Sequence, residues 1–484
     1  MKYFKRALLL LVIAIVGYAS YYLSQALPII AGYGAKNLCS CVFVAGRDPQ
    51  QVIEQELGAS LINLGSPKIH YEDSSAISSV FGLSTRKAIY RKGLGCTLVS
   101  EISEEELRKQ AINLPGKPQI DQDSMAWPNG NKLTDSLFNK IEKINAVVET
   151  AFVELDKANP VNTRAVIIVH HGQIIAEKYA AGFNEHTKLI GWSMTKTITN
   201  AIVGVLVKQG KLKIDSTAPV AEWANDDRNK ISLNNLMQAS SGLAWQEIYA
   251  GASTATNMLF RKKDAGAFAA ASKVETAPNT KWYYSSGTTN IISRITKQTI
   301  GEADYHVFPY REIFNKIGAY SMTIEPDPSG TFIGSSFSYA TARDWARFGL
   351  LYLNDGVWNN ERILPEGWVK YSTTPADAAP QGEYGAQIWL NAGNKKNPND
   401  KRFPDVPNDM YLMDGFEGQN VVMVPSKDVV IVRLGLSQKR EFDTNAVEYR
   451  HQRRHRTGRT RNDSRKRQRR KGYEKRYSRL RRPT

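Results

Sequence analysis

Gly191-Trp192-Ser193-Met194-Thr195-Lys196 decides how this chain is read. A serine stands three residues before a lysine, at the start of a segment with helical periodicity. Residues at i and i+3 share a helix face, so the Lys196 amine can reach the Ser193 hydroxyl. The positive end of a helix favours the negative charge that develops when the hydroxyl is deprotonated. The segment continues to Gly210, with Ile198, Ala201, Ile202, Val205 and Leu206 at three- to four-residue spacing, which predicts one buried apolar face. Lys208 and Gly210 give a cationic last turn and a stop. A second Ser-x-x-Lys, Ser84-Thr85-Arg86-Lys87, lies in a short alternating basic run. It reads as strand or loop with its charges in solvent.

Upstream, Ala165–Val169 and Gln173–Ala176 read as two strands joined by a turn at His170-His171-Gly172. Neighbouring strand residues point to opposite faces, so the two histidines read as turn residues and not as a metal pair. Leu137 to Leu155 places Ile141, Ile144, Val147, Val148 and Phe152 along one side of a helix. Downstream, residues 215–315 read as helices and loops, with further helices near Ser338–Leu353 and Pro365–Tyr371. Two strands, Asn420–Val424 and Val429–Leu434, are joined by a turn at Pro425–Asp428. Strands, then a central helix, then helices and a closing hairpin make an α+β pattern, not a run of βαβ units.

Two other stretches carry chemistry. In Trp282-Tyr283-Tyr284-Ser285-Ser286-Gly287, a tyrosine on a polar loop can act with a lysine as base and later protonate a leaving group. In Asp414-Gly415-Phe416-Glu417-Gly418-Gln419, glycine beside a strand lets backbone approach a substrate closely. The Gln419 N–H is expected to join that of Ser193 in an oxyanion hole, a contribution typically of about 3–4 kcal/mol per donor. Lys196 serves as a base only if burial lowers its pKa from ~10.4 towards ~7–8. The apolar helix with Trp192, Trp282 and Tyr283 is expected to supply that burial.

Taken in order, these stretches resemble the serine β-lactamase and penicillin-binding-protein superfamily. They are most similar to the β-lactamase-related hydrolases grouped with class C enzymes, esterases and 6-aminohexanoate-dimer hydrolase. Leu236-Met237-Gln238-Ala239-Ser240-Ser241-Gly242-Leu243 and the run Tyr339 to Gly349 add to the likeness, which covers about residues 130–446. The resemblance implies a β-lactamase/transpeptidase-like fold, an antiparallel sheet flanked by helices plus a helical subdomain, with the site between them. It implies Ser193 as the acylated nucleophile, Lys196 as its base and Tyr284 as head of a Tyr-x-Asn-type motif, with Trp192, Ser286, Glu417 and Gly418 against the substrate. It implies no cofactor. Two positions depart from the pattern. Ser286 stands where lactamases commonly carry Asn, and Phe416-Glu417-Gly418 stands where penicillin-recognising members have Lys-Thr-Gly or His-x-Gly. The cation for a β-lactam carboxylate is missing, which leaves ester or linear amide hydrolysis as the expected reaction.

The 484-residue chain carries +17, but Val447 to Thr484 holds 17 Lys or Arg against 3 Asp or Glu, so this tail accounts for +14 and the remaining 446 residues for +3. A nearly neutral body argues against nucleic acid as the partner. The tail lacks apolar periodicity and reads as disordered, either binding anionic lipid or nucleic acid or arising from a reading-frame change that replaced a packing helix. At the other end Lys2, Lys5 and Arg6 precede an apolar run from Ala7 to Val16 that continues to Ile30, with no further charge before Lys36. This predicts a cytoplasmic N-terminus and an exported body. The length favours an uncleaved anchor over a signal cut near Gly17-Tyr18-Ala19, with a buried core helix as the remaining reading. The expected organisation is therefore an anchor over 1–36, a small mixed region over 37–120, the hydrolase domain over 121–446 and the tail over 447–484. In the small region Val42–Val44, Ala88–Tyr90 and Cys96–Val99 read as strands, Asp48-Pro49 as a helix start and residues 113–132 as a linker. One of Cys39 and Cys41 bridging to Cys96 fits export, and three buried thiols fit equally. No residue pattern bears on a metal site or on oligomeric state.

Overall fold

Near-continuous burial along the inner strands of one sheet and along one central helix organises this chain. A computed structural model describes residues 2–438, apart from 111–113, 115, 117, 134–137, 139 and 140. The basic tail lies outside the described residues. In chain order the helices are α1 (Lys2–Cys39), α2 (Pro49–Gln55), α3 (Glu104–Lys109), α4 (Glu142–Ala151), α5 (Thr195–Lys208), α6 (Leu233–Met237), α7 (Thr254–Arg261), α8 (Ala265–Ala270), α9 (Ser286–Ile300), α10 (Glu302–Tyr305), α11 (Ala342–Leu353) and α12 (Trp368–Ser372). The strands are β1 (Gly65–His70), β2 (Ser75–Val80), β3 (Ser84–Arg91), β4 (Gly95–Leu98), β5 (Thr163–His170), β6 (Gln173–Tyr179), β7 (Leu189–Ile190), β8 (Thr323–Ile324), β9 (Ser338–Ala340), β10 (Val357–Trp358), β11 (Glu361–Arg362), β12 (Trp389–Leu390), β13 (Tyr411–Gly415), β14 (Gln419–Val424) and β15 (Val429–Gly435).

The chain divides into two units. Unit 1 comprises residues 1–110, 246–265 and 326–330. Its sheet is an antiparallel meander, β1-β2-β3-β4. Helix α1 plays two parts. Residues 3–24 are exposed along their length, whereas from Leu27 onward the helix is buried, with Leu27, Ile30 and Ala31 packed on Val80. An exposed apolar stretch and a buried core stretch are thus successive parts of one element, and the expected boundary at residue 36 falls inside it. Val42–Val44 is not a strand. The backbone continues from α1 as a π-helical turn, Ser40–Val44, whose Ser40, Cys41 and Val42 are buried. Cys39 bonds to Cys96 on β4, and Cys41 stays outside the disulfide. Asp48 caps α2, accepting from the Gln51 N–H at 2.9 Å. The second Ser-x-x-Lys lies on β3, where Lys87 is ion-paired with Asp73 (2.6 Å) and Glu104 (2.9 Å) and not left to solvent. Helix α7 completes the unit, its Phe260 set beside Tyr33 of α1.

Unit 2 comprises 111–245, 266–325 and 331 onward. A six-stranded antiparallel sheet runs β12-β13-β14-β15-β5-β6. Successive strand residues face opposite sides. Accordingly α4 covers one face through Ile144, Val147 and Val148 against Val166, Ile168 and Val429. On the other face Gly349 of α11 lies so close to Val421 and Val430 that a Cβ there would be 2.7–2.8 Å from them. Helix α4 ends at Ala151, short of the predicted Leu155, which is exposed beyond it, while the predicted start at Leu137 lies outside the described residues. A three-stranded piece, β7-β9-β8, joins the strand just before α5 to two strands from much later in the chain. The histidine turn is as read: His171 has φ +50 and its Nδ1 lies 2.6 Å from Asp428 Oδ2 in the neighbouring turn.

Candidate active site

Backbone strain presents Ser193. Gly191 is held by its N–H to Ser338 O (2.8 Å), and a Cβ at Gly191 would lie 2.5 Å from the Trp345 ring. Trp192 then takes φ +47, a conformation costly for a bulky residue and concentrated at functional sites. Ser193 therefore sits in a 3₁₀ turn, Trp192–Met194, and the helix itself begins at Thr195, two residues later than the serine. The i,i+3 relation survives: Lys196 Nζ is 3.1 Å from Ser193 Oγ.

Helix α5 is buried all round from Thr195 to Leu206, not on one face as its apolar spacing implied. Its polar side chains are satisfied by the surrounding backbone, as buried polar groups must be. Thr197 Oγ1 donates to Gln387 O (3.0 Å) and Thr199 Oγ1 to Gly334 O (3.0 Å). Asn200 donates to Ala386 O (2.8 Å) and accepts from Tyr352 Oη (2.6 Å) and Trp368 Nε1 (2.8 Å). Polarity off the apolar stripe serves internal contacts, which periodicity alone cannot reveal.

Lys196 is 2% exposed. Besides Ser193, its amine donates to Ser286 Oγ (3.0 Å) and Ser335 O (3.0 Å), and the Tyr284 ring centroid lies 4.7 Å from Nζ. Ser286 opens α9, which Ser285 caps by accepting from the Thr288 N–H (3.1 Å). One turn along, Asn290 Nδ2 donates to Ser286 O (3.1 Å) and Ser335 Oγ (3.0 Å). An asparagine amide thus enters the polar cluster from position 290, whereas the tyrosine motif carries Ser at 286. Ser335 and Asn290 carry no signal in the sequence beyond their residue type.

Aromatic side chains surround this cluster. Tyr284 stacks on Trp389 at 5.1 Å and meets Tyr384 edge-on at 5.8 Å, and Trp282 packs against both partners. Trp192 lies 5.9 Å from Phe337 and 5.8 Å from Phe416.

On the sheet side, the residue that meets the nucleophile turn is Gly415 at the end of β13. A Cβ there would lie 2.2 Å from Gly191 O, so only glycine fits. Gln419 opens β14 opposite Gly415, and its side chain turns away to Gly435, donating to the carbonyl (2.6 Å) and accepting from the N–H (3.0 Å). Between them Glu417 takes φ +62, and the carbonyls of Glu417 and Gly418 accept from Arg433 Nη1 at 3.3 and 2.8 Å. Burial, with repulsion from Arg164 adding to it, pushes the Arg433 pKa down to about 9. The Glu417–Gln419 turn is therefore fastened to the core, and the close backbone approach to the nucleophile turn is made at Gly415.

A cation missing from the strand motif reaches this strand from elsewhere. Arg402 Nη1 donates to Asp414 Oδ2 at 2.8 Å, with Asn420 Nδ2 on the other oxygen at 3.1 Å. The Arg402 guanidinium lies 5.5 Å from the Trp389 ring, which in turn stacks on Tyr284. Arg402 comes from a Pro- and Asn-rich loop with no periodicity, so the sequence gives no hint of it.

An antiparallel sheet flanked by helices, with a part-buried serine beside a buried lysine at the foot of a central helix, is the β-lactamase/transpeptidase-like fold. The chain belongs to the β-lactamase family, whose pattern matches residues 148–455, and is a β-lactamase-related serine hydrolase. It is 23% identical over 299 residues, 56% of this chain and 72% of its relative, to the 6-aminohexanoate-dimer hydrolase of Paenarthrobacter ureafaciens. Among solved structures it is similar in fold to a family VIII carboxylesterase (TM-score 0.51, 13% identity, covering 66% of this chain and 98% of the other). It is also similar in fold to a penicillin-binding-protein homologue from Caulobacter crescentus (TM-score 0.50, 15% identity, covering 66% and 97%).

Proposed function

We propose that the chain is an exported, membrane-attached serine hydrolase that cleaves an ester or linear amide through an acyl-enzyme at Ser193. The observation that carries this reading is the 3.1 Å approach of the buried Lys196 amine to Ser193 Oγ. Unprotonated Lys196 takes the Ser193 proton as Oγ bonds to the substrate carbonyl carbon. The oxyanion is held by the Ser193 N–H and, in place of Gln419, the backbone at Gly415–Phe416, which lies against the nucleophile turn. The leaving alcohol or amine departs with a proton returned by Lys196, with Tyr284 and Ser286 holding the amine in place. Water then repeats the sequence, releasing the acid and restoring Ser193.

Charge supports a linear substrate. Asp414 and Glu417 occupy the strand end where a β-lactam carboxylate would need a cation, and Arg402 is already paired with Asp414. The Paenarthrobacter relative is named for hydrolysis of a 6-aminohexanoate dimer. Export is supported by the Cys39–Cys96 disulfide, a bond that persists in oxidising compartments. The exposed stretch 3–24, about 33 Å of helix, matches the bilayer core. The deciding experiment is labelling with a fluorophosphonate, mapping the peptide by mass spectrometry, beside turnover of p-nitrophenyl esters, short linear amides and nitrocefin. Labelling at Ser193 with ester or amide turnover is expected. A chain that takes no label and turns over no substrate is a binding protein on this scaffold, and preferential nitrocefin turnover would make it a β-lactamase.

A further inference from the structure

Unit 1 exposes large apolar side chains at one end of its sheet. The β2–β3 hairpin tip, Phe81-Gly82-Leu83, leaves Phe81 69% and Leu83 75% exposed. Leu61 and Leu64, in the turn just before β1, are exposed as well. Register shows that these residues share a level: Gly65 pairs with Val80, and Val80 with Ser84.

That level is where α1 leaves the sheet. A Cβ at Gly34 would touch Ser78, while Leu27 and Ile30 pack on Val80, so α1 runs antiparallel to β2. Four helix residues N-terminal of Leu27 advance about 6 Å, and two strand residues beyond Val80 advance about 7 Å. The hairpin tip therefore stands beside Leu23 and Ser24, where the exposed apolar stretch of the helix ends. Exposed Tyr249 belongs to the same level, since Gly251 lies against Tyr22. Tyr71 is the exception. It is exposed at the opposite end of the sheet, against Phe43 at the far end of the helix.

One cation marks the same level, and a second, Arg86 opposite Ser78, begins two residues further into the sheet. Arg261 donates to Gln25. Arg86 on β3 is near enough that burial and repulsion from Arg261 lower its pKa from the ordinary value. Two guanidinium groups that repel one another suit a phosphate.

We propose that this end of unit 1 docks in the bilayer interface, with Phe81, Leu83, Leu61 and Leu64 entering the acyl boundary as a collar around α1 and Arg86 and Arg261 meeting the phosphates of anionic lipid headgroups. The inference rests on the reading of residues 3–24 as a membrane span. It gives unit 1 a fixed depth and excludes a helix that merely tethers it at a distance.

The test uses the full chain with Cys41→Ala in lipid vesicles, carrying a bimane label at Leu83→Cys or, as control, at Tyr71→Cys. Lipids with a shallow doxyl group are expected to quench the Leu83 label to less than about half its intensity and to leave the Tyr71 label unchanged. Doxyl phosphatidylglycerol should quench several-fold more effectively than doxyl phosphatidylcholine, as expected from about 1 kcal/mol per basic residue near an anionic surface. That excess should vanish in Arg86→Gln/Arg261→Gln. A Leu83 label that stays bright in a chain retained through an alkaline carbonate wash overturns the collar while sparing the span. Release of the chain by the wash overturns the span itself. Chain-to-chain cross-linking through position 83 without lipid quenching assigns the face to a second copy and also overturns the proposal.

Discussion

Ser193 and Ser84 share a motif and differ in everything around it. Ser193 follows a strained Trp192 and faces a buried amine, whereas Lys87 of the other motif is spoken for by Asp73 and Glu104 on a surface sheet. Ser193→Ala is expected to abolish ester turnover and fluorophosphonate labelling with the fold intact by circular dichroism, and Ser84→Ala to leave both unchanged. Equal turnover by the Ser193→Ala variant would sink the assignment. Ser286→Ala removes one acceptor from the Lys196 amine. The amine becomes charged as it takes the Ser193 proton, and a lost hydrogen bond to a charged group is worth about 1.5–3 kcal/mol, so kcat should fall roughly 10- to 100-fold with KM little altered. Gly415→Val would push β13 off Gly191 and displace the second oxyanion donor, at a cost of about 10²–10³ in kcat measured on the same ester. The serine and lysine were legible because their relation is local, one helical turn. Asn290, Ser335, Gly415 and Arg402 reach the cluster from 90 to more than 200 residues away by tertiary packing, and no spacing rule encodes that. Gln419 illustrates the limit: its glycine-rich context was readable, but its pairing opposite Gly415 depends on hairpin register.

At the scale of elements, periodicity identified the hairpins β5–β6 and β14–β15 and the helix α5, and misjudged ends and exposure. Val42–Val44 has strand composition but continues a helix, because the preceding turns already lie on the sheet. The Lys87 cluster is the element-level stability test. Hydrogen bonds from Lys87 are the leading cause holding the Asp73 and Glu104 carboxyls below their ordinary values. Folded-state pKa values that are depressed contribute stability above the ordinary carboxylate range, about pH 4, and lose it as pH falls through the lowered values. Lys87→Met should therefore lower the thermal midpoint of unit 1 at pH 7, by a free energy of about 1 kcal/mol or less given the partial exposure of the pair. The difference from wild type should shrink towards zero near pH 3 in differential scanning calorimetry. A difference that is the same at both pH values would refute the electrostatic account.

For the whole molecule, the redox state reports the compartment. Protein isolated from its native host, denatured without reductant, should titrate one thiol, Cys41, and three after reduction. Three before reduction would contradict export. Reduction should also destabilise unit 1 by about 4 kcal/mol, from the closure of a loop whose ends are 57 residues apart, seen as an earlier melting transition. An N-terminal apolar run followed by a hydrolase pattern was readable as two regions. That the smaller one recruits pieces of the larger was not, since residues 246–265 and 326–330 look in sequence like ordinary loops and a short helix.

Unit 1 is assembled from three separated stretches of chain, and its α7 carries buried Ala255, Met258, Leu259 and Phe260. Cutting the gene after residue 110 to obtain a soluble enzyme would therefore strip the cover from an internal helix of the remainder. The freed surface would be sticky, and inclusion bodies are the expected yield. Water solubility is better sought by shortening only the first two dozen codons, which leaves every fragment of the small unit with its mates.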